Sequence, residues 1–166
     1  VNLSEFFDYK NTLMKEICSN ERLVQLITGN KMADVPNHAL PYSQVFPFEF
    51  VPETVDEGRT YICFDVDIVE AQSKTFYTPV IYIWVFTHKS LLRAPDGGIL
   101  LDMISEELDK MLNGSRFYSM GELNLRAATR FVPISDYQGR ALAYTARDFN
   151  RLYANRPIPT NRKKGT

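Results

Sequence analysis

Residues that carry chemistry are scarce in this chain. Of its 166 residues, two are cysteine and two are histidine. Two cysteines are too few for a disulfide framework, and they show no metal-ligand spacing. Cys18 falls late in a helical pattern and Cys63 inside a strand pattern, the common settings of small buried thiols. His38 stands among prolines and His88 ends an apolar run. Ligand histidines come in clusters, and no H-E-x-x-H is present, so neither reads as a metal ligand. There is no G-x-S-x-G elbow, and Gly97-Gly98 lacks the lysine of a phosphate loop. The expectation is a protein that is not an enzyme and needs no cofactor.

Long apolar runs are also missing. No stretch reaches the length of a membrane-spanning helix. The first residues, VNLSEFFDYK, have neither a basic start nor an apolar core, so no secretory signal is expected and synthesis in the cytoplasm is. Charge of one sign is lacking overall, with a net charge of −1. Its distribution is less even. Residues 151–166 hold Arg151, Arg156, Arg162, Lys163 and Lys164 and no acidic residue. Such a tail suits either an acidic neighbour or nucleic acid, or it is a solvated terminus.

What is present is hydrophobic pattern. At 45% hydrophobic and 23% charged residues, the chain has the composition of a soluble globular protein and the length of one domain. Leu3, Phe6, Phe7, Leu13, Met14 and Ile17 form a helical stripe behind Ser4 as a cap, and Glu21–Thr28 a second helix stopped by Gly29. Residues 30–58 carry Pro36, Pro41, Pro47 and Pro52 and read as a long arm. Within it, Ser43–Val51 is apolar enough for an extended arm or an edge strand, because Pro47 excludes a central one.

Thr60–Ala71 and Thr75–His88 read as a long hairpin turning at Gln72–Lys74. The second strand, TFYTPVIYIWVFTH, is apolar on both faces. One face holds Ile81, Ile83 and Val85; the other holds Val80, Tyr82, Trp84 and Phe86. Both faces therefore need cover, and a second copy of the chain is one source of it. Ile99–Asn113 is an amphipathic helix ended by Gly114. Glu122–Phe131 alternates as a half-buried strand, Pro133–Gly139 is a turn, and Arg140–Phe149 is the last strand. The predicted fold class is α+β: an antiparallel sheet with a long hairpin, helices packed on one face, an extended arm and a C-terminal tail. Residues 1–150 form the domain and 151–166 the basic tail.

Asp65 and Asp67 share a face two residues apart, a spacing that holds Mg²⁺ in some nucleases. The following strand lacks the acidic residue and lysine that such a nuclease places there. The alternatives are a wet strand face or an acidic interface.

The order of elements resembles the tail-completion (tail terminator) proteins of long-tailed bacteriophages. The matching text is LMKEICSNERLVQLITG, PYSQVFPFEFVPET, TYICFDVDIV with TPVIYIWVFTH, ILLDMISEELDKMLNG, and GELNLRAATRF with GRALAYTARDF. The match covers 11–150 and departs from the pattern in its long arm and its tail. The resemblance implies a structural virion protein at the neck between tail and head. It would be a homohexameric ring that caps the tail tube and docks the head, with DNA passing its lumen unread. Implied partners are the chain itself, the tail tube protein, a head-closure protein and, in a contractile tail, the sheath. On that footing Phe46, Phe48 and Phe50 of the arm are expected at the subunit interface. Gln72, Ser73 and Lys74 at the hairpin tip would contact the tube or the adjacent ring. Asp65 and Asp67 would face the lumen, and Arg156, Arg162, Lys163 and Lys164 an acidic neighbour. Three alternatives stand beside this: a head-closure adaptor of the same neck, a Mg²⁺-dependent nuclease built on Asp65 and Asp67, and a non-viral binding module.

Overall fold

The computed structural model describes residues 3–51, 58–70, 76–116, 121–146 and 148–149. Among these residues the protein is α+β, with three α-helices and a mostly antiparallel mixed sheet. The helices are α1 (Leu3–Ser19), α2 (Glu21–Thr28) and α3 (Leu100–Leu112). The strands are β1 (Val45–Phe46), β2 (Thr60–Glu70), β3 (Phe76–His88), β4 (Asn124–Phe131), β5 (Tyr137–Thr145) and β6 (Asp148–Phe149). The main sheet runs β1-β2-β3-β5-β4, and β6 pairs with the start of β3. The predicted hairpin tip and basic tail lie outside the described residues.

Helix boundaries follow local chemistry. Asn20 caps α2, its side-chain oxygen accepting from the Leu23 N–H at 3.0 Å. Gly29 ends α2 at φ 75, where only glycine is unstrained, and its N–H donates to the Gln25 carbonyl. α1 starts at Leu3, so Ser4 lies in its first turn rather than at its cap.

The core lies between the helices and one face of the hairpin. Ile62, Phe64 and Val66 of β2 and Ile81, Ile83 and Val85 of β3 meet Leu13 and Ile17 of α1, Leu23 and Val24 of α2, and Ile104 and Leu108 of α3. Each such side chain contributes about 1.5–3 kcal/mol on burial. Tyr144 of β5 joins them and donates its hydroxyl to Asp109 of α3 at 2.9 Å. Arg140 of β5 pairs with Asp102 of the same helix.

The edge strand read within 43–51 is Val45–Phe46, at the edge of the sheet and parallel to β2. Two sequence expectations need correction. The predicted turn over 133–139 already belongs to β5 from Tyr137 onward. The strand read as half-buried is open. Leu123 is buried before it begins, but Asn124–Arg130 are exposed on both faces. The cause is coverage: α3 packs over β3 and β5, leaving most of β4 beyond its reach. A bulge at Arg126 also interrupts the alternation.

Gly139 fixes the spacing of three strands. It pairs with Phe86 and Phe131, whose rings meet edge-on across it at 6.0 Å. A Cβ there would stand 2.6 Å from the Val85 carbonyl oxygen and 2.9 Å from the Phe86 Cβ. Gly139→Ala should therefore lower the unfolding free energy by about 1–3 kcal/mol in a urea titration. At a strain-free site the same change gains about 0.4–1 kcal/mol.

Burial also sets an alkaline limit. It pushes the Cys18 thiol from 9.0 to about 11 and the Cys63 thiol from 9.0 to about 12. The unfolded chain thus releases thiol protons above pH 9 while the folded chain retains them. The folded state then binds more protons, so stability falls as pH rises. Thermal melting should be flat up to about pH 8.5 and decline between pH 9 and 12, with a shallower decline in Cys63→Ala.

Candidate assembly surface

The sheet face turned away from the helices is built in rows by strand register. Tyr61, Phe86, Gly139 and Phe131 form the first, and Cys63, Trp84, Ala141 and Thr129 the second. Asp65, Tyr82, Ala143 and Ala127 form the third. This face carries the aromatic content that the sequence showed in β3.

Its first row is covered from within the same chain. Phe46 is 6% exposed and stacks on Phe50, with ring centres 4.0 Å apart and planes 9° apart. Phe50 lies 5.5 Å from Tyr61, which stacks on Phe86 at 5.2 Å. Tyr137 closes the cluster, fully buried, and its hydroxyl has no hydrogen-bond partner among the described residues. The sequence reading turned all three arm phenylalanines toward a neighbour; here Phe46 and Phe50 face their own sheet. The physical reason is Pro47, which breaks the strand after β1 and lets the chain fold back. Phe48 alone stays outward, 43% exposed, its ring 6.4 Å from that of Tyr42.

Beyond the first row the face opens. Tyr82 and Trp84 stack at 6.0 Å and are half-buried, beside the half-buried Ala141 and Ala143 and the exposed Ala127 and Thr129. Asp65 and Asp67 flank this shelf on the β2 side. They are not equivalent: Asp67 is exposed, while Asp65 takes an ion pair from Lys10 of α1 at 2.5 Å. Lys10 also donates to the Pro47 carbonyl, which ties α1 to the arm. Among the described residues, no group of three or more His, Cys, Asp or Glu is placed to hold a metal. His88 caps the turn after β3, its ring accepting from the Ser90 N–H.

Two features of this surface escaped the sequence reading. Tyr42 is 66% exposed and adopts φ 59, a conformation that L side chains avoid and that favours functional sites when it persists. No sequence signal marks it. The second is the openness of β4, whose alternation looked half-buried. On the helix side there is also a pocket of about 410 Å³ between α2 and the 90–100 loop, floored by Leu26, Ile27 and Leu100. Arg22 at its rim pairs with Asp96, so the site is largely self-satisfied.

Cys63 reports on the arm, because its thiol lies 3.8 Å from the Phe50 carbonyl, beneath the segment that covers it. A thiol reagent at neutral pH should label Cys63 slowly in the native protein. Phe50→Ala should raise that rate at least about tenfold, followed by peptide mass mapping, because a stacked aromatic pair contributes about 0.5–1.5 kcal/mol beyond the area it buries. Rapid labelling of the unaltered protein would place the arm elsewhere.

No curated protein matches this chain. Residues 20–146 match the family model YomW. That span runs from the Asn20 cap of α2 through the end of β5 and includes the arm and the whole β1-β2-β3-β5-β4 sheet. The chain accordingly belongs to the YomW family of phage-derived proteins.

Proposed function

We propose that this chain is a structural protein of the phage virion neck. It is a ring-forming tail terminator that caps the tail tube and offers the head its docking surface. The observation that carries this reading is the inequality of the two sheet edges. At the β1 edge, the turn after Pro41 folds back on the strand, and the arm beside it presents Tyr42 and Phe48 to solvent. At the other edge β4 is exposed and has no strand beyond it among the described residues. Contacts between unlike edges are heterologous, and a heterologous contact closes into a ring when the rotation from copy to copy completes a full turn, and otherwise runs on as a filament. Six copies is the number implied by the likeness to tail-completion proteins.

Membership in a phage-derived family supports a place in a virion. The ring is made in the host cytoplasm and sits between the tail tube protein and the head-closure protein, beside the sheath where there is one. The hairpin tip (72–74) and the basic tail are its contacts along the axis. The open sheet face carries Asp67 toward the lumen, where negative charge repels DNA phosphates and lets the duplex slide. Asp65 adds less to that field, because Lys10 neutralises it.

Size-exclusion chromatography with light scattering, alone and with tube protein, tests the reading. The expected result is a concentration-dependent multimer that electron microscopy shows as rings on tube ends. A strict monomer that never joins tube ends would overturn it. Rings that bind portal-side proteins and ignore tubes would favour the head-closure adaptor.

A further inference from the structure

The most exposed element of the sheet is β4, and its protection as an edge is thin. Edge strands are usually shortened, broken by proline or bulges, or dotted with charge to prevent pairing with other chains. β4 spans Asn124–Phe131 (NLRAATRF), eight residues with no proline and no lysine. Its only irregularity is the bulge at Arg126, near its start, where the guanidinium donates to the Thr145 hydroxyl at 2.8 Å. Its charges are of one sign: Arg126 and Arg130 are exposed, and the strand has no acidic residue.

The arm has the opposite character. Phe48, Glu49 and Val51 are exposed, while Phe50 is held inward by its stack on Phe46. In sequence the acidic residues Glu49, Glu53, Asp56 and Glu57 follow β1 with no basic residue among them until Arg59. The segment Phe48–Val51 belongs to no strand, so its backbone makes no ladder in its own chain.

We propose that β4 of one copy accepts the Phe48–Val51 segment of a second copy as an added strand, with Glu49 meeting the arginines of β4. This rests on the ring reading and names its interface. A copy cannot satisfy itself in this way. Its own arm is anchored at the β1 edge, four strand spacings or roughly 19 Å from β4. Beyond Leu125, whose N–H already donates to the Asn113 side chain at 3.2 Å, the added strand gives β4 the backbone partners that its edge lacks. The pairing of basic strand with acidic segment disfavours β4 against β4, which would bring arginines together. Strand addition of this kind draws affinity from the main chain and selectivity from the side chains.

The test uses cysteine variants that stay apart unless two copies meet. Glu49→Cys is mixed with Ala127→Cys, Ala128→Cys or Thr129→Cys under mild oxidation, and the native Cys18 and Cys63 are monitored by mass mapping. The expected result is a disulfide-linked dimer in at least one mixture and none in any variant alone. A charge exchange gives a second readout free of disulfides. Arg130→Glu and Glu49→Arg should each weaken self-association at least about tenfold by sedimentation, and the double variant should restore it; exposed charge pairs across an interface set partner choice in this way. Circular dichroism checks that each variant is folded. If the parent protein assembles but no mixture cross-links and charge reversal has no effect, the β4 acceptor is wrong and the ring stands. A β4 cysteine variant that cross-links alone also overturns it, because β4 then pairs with itself. Failure of the parent to assemble with or without tube protein removes the ring and this interface together.

Discussion

β3 is apolar on both faces, and the helices cover only one of them. That mismatch governs the rest of the structure. On the helix side Ile62, Phe64, Ile81, Ile83 and Val85 are almost completely dry, which fixes register, because a one-residue slip would turn every one of them outward. On the other side the same alternation places Tyr61, Cys63, Trp84 and Phe86 where no helix sits. The chain answers with the arm. Phe46 and Phe50 spread over Tyr61 and Phe86 and leave Trp84 and Tyr82 half-covered. The boundary of the arm is therefore also the boundary between the part of this face that is core and the part available to a partner.

Much of the fold was legible because it depends on periodicity and local punctuation. The three helices carry apolar stripes, Gly29 and Gly114 mark where two of them stop, and the hairpin strands are rich in β-branched and aromatic residues. β4 was misread because alternation reports what a strand would bury, whereas burial depends on how far the covering helices extend. α3 packs mainly on β3 and β5, and its cap residue Asn113 reaches β4 at Leu125. The direction of β1 was not legible either. Pro47 places it at an edge, but two residues cannot encode parallel or antiparallel pairing; the path of the 40–44 turn decides it, through the Leu40 and Gln44 carbonyls.

The surface was half legible for a related reason. Phe46, Phe48 and Phe50 share one parity, which in a continuous strand would aim all three the same way. Pro47 ends the strand between the first and second, so parity no longer fixes direction. Two of the rings then stack on each other and the third turns out beside Tyr42. Asp65 and Asp67 do share a face as their spacing required, yet Lys10 separates their electrostatics, and that contact joins residues 55 positions apart in sequence. Nothing in a local pattern announces it.

The self-docked phenylalanines cover the first row from within one chain, so no second copy is needed there, and what they leave to a partner is the rest of the arm. A free arm would lose conformational freedom on binding, at about 0.5–1.5 kcal/mol for each rotamer-rich side chain it immobilises, with backbone ordering in addition. Holding Phe46 and Phe50 against the sheet meets part of that cost during folding. Phe48, Glu49 and Tyr42 are then presented from a fixed base, and the strained backbone at Tyr42 persists because the surrounding turn, with four hydrogen bonds to the Leu40 carbonyl and the Val45 N–H and carbonyl among its partners, overdetermines it. An arm anchored at one edge and a bare strand at the other give the subunit a direction. In the proposed ring that direction is what makes each contact head-to-tail, and preorganisation of the arm is what lets a short segment bind without a large interface.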